Sequence, residues 1–266
     1  MHIYNDRFYD NQSTGSLKSA KAIVPIINEI LSPQSVVDLG CGIGTWLSAF
    51  IEMGIDDILG IDGPYVEKNK LLINEANFLA ADLEKPILLD RKFDLAISLE
   101  VAEHIPDIAA NTFVSSLTSL SDVIIFSAAL PYQGGENHIN EQWPEYWSDK
   151  FVAAGYTPID YLRLKLWNDS DIEFWYRQNI FIYIKNDLVK NYETLRDSAI
   201  SKPFSLVHPE QYIQKHHLIA DLEEYINSQR DSIKKLQNRI EEIKDPSKSS
   251  TWDAFVFLVN TIIKNR

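Results

Sequence analysis

Apolar residues recur at helical spacing over residues 16–31, and Pro33 closes that segment. The next apolar stretch is of another kind. SVVDLG (35–40) is short, β-branched and runs straight into glycines, the pattern of a buried strand. DILGID (57–62), FLAAD (78–82), FDLAISLE (93–100) and DVIIFSAAL (122–130) repeat it. Helical spacing over 44–53, around 65–73 and over 107–120 separates most of these runs. Strands alternating with helices predict βαβ units, hence an α/β fold with a mostly parallel sheet covered by helices on both faces. After Pro144, EYWSDKFVAAG reads as an amphipathic helix. YTPIDYLRLKLW and FWYRQNIFIYIKN then read as two long closing strands that pair as a hairpin.

The tail follows a different period. From Ile219, apolar residues fall on a heptad repeat: Ile219, Leu222, Ile226, Ile233, Leu236, Ile240 and Ile243, broken only by Gln229. This is a coiled-coil seam, to be met by a second copy of the chain or by the helix's own domain. Pro246 and SKSS end it. Trp252, Phe255, Val256, Val259, Ile262 and Ile263 then form one apolar helical face, too short to span a bilayer. It suits a docking helix, or else contact with a membrane surface. The chain divides on this reading into an α/β domain, residues 1–187, and a helical tail, residues 188–266.

Charge narrows the partners. The 266 residues carry 25 Lys and Arg against 38 Asp and Glu, a net charge of -13. Residues 1–187 hold 13 basic and 27 acidic side chains, and the tail is nearly neutral. A phosphate backbone would be repelled by the first part, so nucleic acid is a disfavoured partner. The single cysteine, Cys41, excludes a disulfide framework and a cysteine-rich zinc site. The polar N-terminus lacks the apolar core of a secretory signal, and no apolar run is long enough for a membrane span. A cytoplasmic protein is expected.

Candidate chemistry starts in the loop after the first strand. Gly40, Gly42 and Gly44 alternate in DLGCGIG, letting the backbone turn tightly and approach a ligand, while the helix that follows offers free N–H groups. A purely structural turn is the alternative. Thr45 stands where the dinucleotide fingerprint has glycine, so that motif is absent. Asp62 closes the second strand, placed to accept two hydrogen bonds from a ribose diol, and Asp82 closes the third, where a carboxylate beside backbone N–H groups can read adenine. All three features lie at the C-terminal ends of successive strands, where open α/β sheets bind ligands.

VVDLGCGIGTW, LGID, AADLEKP and FDLAISLEVAEHIP together resemble the successive motifs of the class I S-adenosylmethionine-dependent methyltransferases. The resemblance covers about residues 1–187. It implies a Rossmann-like seven-stranded sheet whose last strand is antiparallel. It implies that Gly40, Cys41, Gly42 and Gly44 face the methionine part of the cofactor, with Asp62 on the ribose and Asp82 on the adenine. Trp46, Gly63, Leu83, Ser98 and Leu99 complete the implied cofactor site. The helical tail lies outside the family pattern.

One segment carries further chemistry. If Glu100 to His104 open a helix, Glu100, Glu103 and His104 share one face. Two carboxylates and an imidazole there could move a proton, with His104 as base, or hold a divalent cation. His138 follows Gly134 and Gly135 in a loop able to fold over the same cleft. E-x-x-E-H with a distant histidine resembles the small-RNA 3′-end 2′-O-methyltransferases, and E-x-x-E-H alone resembles the ubiquinone-pathway O-methyltransferases. That resemblance implies Mg²⁺ or Mn²⁺ held by Glu100, Glu103, His104 and His138, gripping adjacent oxygens of the acceptor. A metal-free histidine base and a structural role stand beside it. Trp143, Tyr146, Trp147, Trp167, Trp175 and Tyr176 crowd the acceptor side, as a stacking surface or as core. The N-terminal FYDNQSTGS, with Tyr9, Gln12 and Ser16, is read as a loop-like lid.

These readings converge on an O-methyltransferase for a small-molecule or glycan hydroxyl, with S-adenosylmethionine as donor. An RNA-end 2′-O-methyltransferase and a non-catalytic scaffold presenting a coiled coil are the alternatives.

Overall fold

The computed structural model describes the backbone of residues 6–244 and 250–264, and side chains over residues 15–242 and 253–264. The side chains of Tyr9, Gln12 and Trp252, and the whole of Pro246, lie outside the described residues. Two compact units form, Met1–Gln211 and Tyr212–Arg266.

In the first unit, seven strands make one sheet in the order β3-β2-β1-β4-β5-β7-β6. The strands are β1 (Ser35–Leu39), β2 (Asp57–Asp62), β3 (Phe78–Ala80), β4 (Leu95–Leu99), β5 (Val123–Ser127), β6 (Tyr156–Ile159) and β7 (Phe181–Lys185). β1 pairs parallel with β2 and β4, and β4 with β5. β7 runs antiparallel to both β5 and β6. Every residue of β1, β4 and β5 is buried, because helices cover both faces.

One face is covered by α1 (Asp6–Leu31) and α2 (Thr45–Glu52), whose Ile23, Ile27, Leu47 and Phe50 are fully buried. The other is covered by α3 (Ala110–Leu120) and α4 (Pro144–Ala153), through Phe113, Leu117, Trp147 and Phe151. The predicted lid does not form a loop: residues 8–16 continue α1 as helix. Ser16 is buried there, its hydroxyl 3.0 Å from the Tyr176 hydroxyl.

Two predicted elements are corrected. The helical spacing around 65–73 yields only a short turn at Lys68–Lys70, because the segment is a loop pinned by buried Val66 and Ile73. The closing hairpin is also absent as such. β6 and β7 do pair, but α5 (Leu162–Leu166) and α6 (Phe174–Asn179) lie between them. α5 buries Leu162 and Leu166 one helical turn apart and leaves Leu164 outside. Arg163, also buried, donates to both carboxylate oxygens of Asp160 and stacks its guanidinium 4.1 Å from the centroid of the Phe181 ring.

Residues 188–211, which include α7 (Glu193–Arg196), belong to the first unit, where His208 and Gln211 are buried. The tail contains α8 (Pro209–Lys244) and α9 (Ser250–Lys264), and the heptad residues lie in α8. Among the described residues no helix is long and apolar enough to cross a membrane.

Candidate active site

The loop from Gly40 to Gly44 connects β1 to α2, at the C-terminal edge of the sheet and beside β4, where the strand order reverses. Its backbone is left-handed at Gly40, with φ +88°. A side chain there is excluded twice over, since a Cβ would lie 2.4 Å from the methyl groups of Val101. At Gly42 the space beside the backbone is open to 4 Å.

Asp62, at the end of β2, organises this loop. Its Oδ2 accepts from the Gly42 amide at 2.7 Å, and its Oδ1 accepts from the Gly63 amide and the Tyr65 hydroxyl, both at 2.6 Å. Burial pushes its carboxyl up from the ordinary range, and the three donors partly offset that. Asp38 lies beneath. It is buried, its Oδ2 has no hydrogen-bond partner, and burial together with neighbouring Asp62 pushes its carboxyl well up. A cationic ligand beside these two buried carboxyl groups would stabilise their charged form.

The remaining residues expected around the cofactor take mixed positions. Asp82 is exposed just past β3, its Oδ1 capping the Glu84 amide at 2.9 Å. Cys41 is buried, with Sγ packed where Gly60 lacks a Cβ, and burial pushes its thiol well up. Trp46 is buried edge-on against Tyr176, with ring centroids 5.0 Å apart. Leu83 and Leu99 are core residues. Ser98 is fully buried and spends its hydroxyl on the Leu39 carbonyl at 2.8 Å, tying β4 to β1.

The acid–histidine segment departs from expectation at its first residue. Glu100 has φ +56°, so no helix begins there, and only a short turn forms at Ala102–His104. Glu100 therefore leaves the face it was expected to share. Its carboxylate accepts from the side-chain amides of Gln133 at 2.9 Å and Asn179 at 3.1 Å. Desolvation pushes it up to about 7 against those donors.

Glu103, His104 and His138 do converge, each offering a ligand atom within 4.8 Å of the others. The loop bearing His138 is tied down by the Ile139 and Asn140 amides, both donating to the Glu103 carbonyl at 3.0 Å. The Asn140 side chain donates to the Ile105 carbonyl, also at 3.0 Å. The Glu103 carboxylate is fully buried, and neither oxygen has a hydrogen-bond partner. Burial and the nearby Glu100 push it well up, although the backbone amides of Glu103 and Ala129 act in the other direction.

His138 Nε2 lies 3.9 Å from Glu103 Oε1, and the His104 and His138 rings meet edge-on at 4.9 Å. His104 Nδ1 lies 3.2 Å from the Asn137 carbonyl. Burial, then His138, lowers its pKa, which keeps the ring neutral at pH 7. His138 Nδ1 lies 3.0 Å from Glu141 Oε1. Gly135 closes over this ring: a Cβ there would lie 2.2 Å from His138 Nε2.

Sequence reasoning missed Glu141, Gln133, Asn179, Tyr65 and the unpartnered Asp38. Only Glu141, three residues past His138, stood at a spacing that hints at its role. The aromatic residues expected on the acceptor side split. Trp147 and Tyr176 are core, whereas Trp143 is exposed.

A family model described as a methyltransferase domain matches residues 16–153, just over half of the chain. The chain belongs to this family. It is a class I S-adenosylmethionine-dependent methyltransferase.

The ubiquinone biosynthesis O-methyltransferase of Rhodopseudomonas palustris (strain BisA53) is 30% identical over 89 residues, covering 30% of this chain and 33% of that one. The chain thus spans about a third of the length of that relative. A candidate O-methyltransferase structure from Nostoc punctiforme PCC 73102 has a TM-score of 0.50 at 14% identity, covering 67% of this chain and 59% of that one, a likeness of fold. The S-adenosylmethionine-bound magnesium protoporphyrin IX methyltransferase of Synechocystis PCC 6803 has a TM-score of 0.45 at 20% identity, covering 65% and 80%.

Proposed function

We propose that the enzyme methylates a hydroxyl of a small molecule or glycan that presents a second oxygen next to the first, with the aid of a divalent cation. The unpartnered carboxylate of Glu103, buried against His104 and His138, carries this reading. A buried carboxylate without hydrogen bonds is costly, and a cation is the ligand that would compensate it. The donor set is one oxygen and two nitrogens, which suits Mg²⁺ or Mn²⁺ less strictly than an all-oxygen site and leaves positions for acceptor oxygens. A cation held there by Glu103, His104 and His138 would lower the pKa of an acceptor hydroxyl.

S-adenosylmethionine supplies the methyl group as a sulfonium that is already electrophilic, so alignment and proton removal are what the chain must provide. The Gly40–Gly44 backbone and Asp62 are suited to the methionine and ribose parts, and exposed Asp82 to the adenine edge. Asp38, unpartnered at Oδ2 beneath the loop, fits a cofactor bearing both a sulfonium and an ammonium. With Nδ1 toward the Asn137 carbonyl, His104 keeps the lone pair of its other ring nitrogen for the cation. Glu141 fixes His138 with Nε2 toward Glu103. The net negative charge of residues 1–187 favours a small acceptor over an RNA end.

Titration of the protein with Mn²⁺ by calorimetry, beside Glu103→Gln, tests the cation. Binding lost in the variant, with S-adenosylmethionine affinity kept, is the expected result. Equal binding by both proteins would remove the metal. Methyl transfer should then favour vicinal diols and catechols over matched mono-hydroxyl compounds, and a preference for RNA ends would replace the acceptor class.

A further inference from the structure

α8 carries an apolar stripe with a period of seven. The side chains of Ile219, Leu222, Ile226, Ile233, Leu236 and Ile240 are each between 47% and 65% exposed. A straight α-helix turns once every 3.6 residues, so a seven-residue stripe drifts around it. The stripe stays on one face only if the helix winds left-handedly about a partner of the same period. A second copy of this chain supplies that partner.

The residue types specify more. Written as heptads, every a position is isoleucine: Ile219, Ile226, Ile233 and Ile240. The d positions are Leu222, Gln229, Leu236 and Ile243. A β-branched residue at a with leucine at d favours two parallel strands, since each position then presents its Cα–Cβ bond at the angle its residue packs best. Gln229 fixes the register. In a parallel, in-register pair it meets Gln229 of the second copy, amide oxygen to amide N–H. In the fully overlapped antiparallel pair it would face Ile233, and its amide would be enclosed without a partner.

Size agrees. Residues 219–243 at about 1.5 Å per residue give a seam roughly 37 Å long. One helix diameter wide on each of two copies, it covers roughly 750–900 Å², close to the roughly 1,000 Å² of the smallest specific interfaces.

We infer that α8 joins two copies of the chain as a parallel, in-register two-stranded coiled coil between Ile219 and Ile243. The inference stands apart from the catalytic reading and needs no assumption about metal or acceptor.

Sedimentation equilibrium on the full chain at low micromolar concentration tests it. The expected mass is about twice the 30.5 kDa of one chain. Ile226→Asp combined with Ile233→Asp should return the mass of a single chain while S-adenosylmethionine affinity is unchanged. A single-chain or three-chain mass for the parent protein overturns the inference, as does a dimer that survives the double substitution. Orientation has its own readout. Leu236→Cys places a thiol at a d position, and the native Cys41 is buried, so mild oxidation should link two chains through residue 236. A dimer that fails to cross-link there would overturn the parallel register.

Discussion

His138 and Glu141 meet through Nδ1 and Oε1 at 3.0 Å, and that contact turns the other ring nitrogen toward Glu103. Glu141 also accepts from the Tyr132 and Gly134 amides at 2.7 Å, so one carboxylate sets both the loop and the ring. Glu141→Ala should lower Mn²⁺ affinity by roughly 10–100-fold, the usual effect of removing the group behind a ligating histidine. S-adenosylmethionine affinity should stay the same. Paired calorimetric titrations of the two ligands check this, and equal losses for both would mean general damage instead.

Gly135→Ala introduces a methyl group 2.2 Å from His138 Nε2. The ring must move or the loop must open, and either one disperses the cluster. Turnover and Mn²⁺ affinity should both fall by roughly tenfold or more. The melting temperature should hardly move, because the residue is on an exposed loop. A variant with full turnover would place His138 outside the reacting site.

The β5–α4 loop and the end of α6 both reach Glu100, through Gln133 and Asn179, which also bond to each other at 2.9 Å. Its folded pKa of about 7, against an ordinary 4.5, has a definite sign in stability. The folded state holds this proton more tightly than the unfolded chain. The contribution is therefore complete below about pH 4.5 and is lost as pH rises to 7. Across that window the parent protein should lose on the order of 3 kcal/mol from this group. Glu100→Gln cannot titrate and should show a flatter profile. Urea unfolding of both proteins at the two ends of the window measures the difference, and parallel profiles would refute it.

Asp62→Ala removes the acceptor of the Gly42 and Gly63 amides and of the Tyr65 hydroxyl. Hydrogen bonds to a charged acceptor contribute about 1.5–3 kcal/mol, so S-adenosylmethionine should bind roughly 10–100-fold more weakly. Equilibrium dialysis with labelled cofactor is enough to see this. Unchanged affinity would exclude Asp62 from the cofactor site.

The sheet was legible because β1, β4 and β5 are mostly apolar runs bounded by glycine or polar residues, and they could be read as buried without knowing their neighbours. Alternation misled at Leu162, Leu164 and Leu166. It suggests a half-buried strand, but the ion pair of Arg163 with Asp160 and its stacking on Phe181 bury a charged residue and leave Leu164 in solvent. Glu100 misled for a local reason. A left-handed glutamate carries no signature in sequence, and its conformation alone removes it from the helical face expected of E-x-x-E-H. Glu103 and His104 were legible as neighbours, and His138 through the loop glycines before it. Gln133 and Asn179 come from distant segments, and amides have no spacing rule that would mark them in advance.

Cys41 is the one thiol in 266 residues, and it sits in the Gly40–Gly44 loop with its sulfur sealed against Gly60. Held protonated and out of water, it is inert for as long as the loop is closed. The rate at which a thiol reagent labels the native enzyme is therefore a clock for the opening of that loop. No probe need be introduced, and slower labelling in the presence of a ligand would report how long that ligand holds the loop shut.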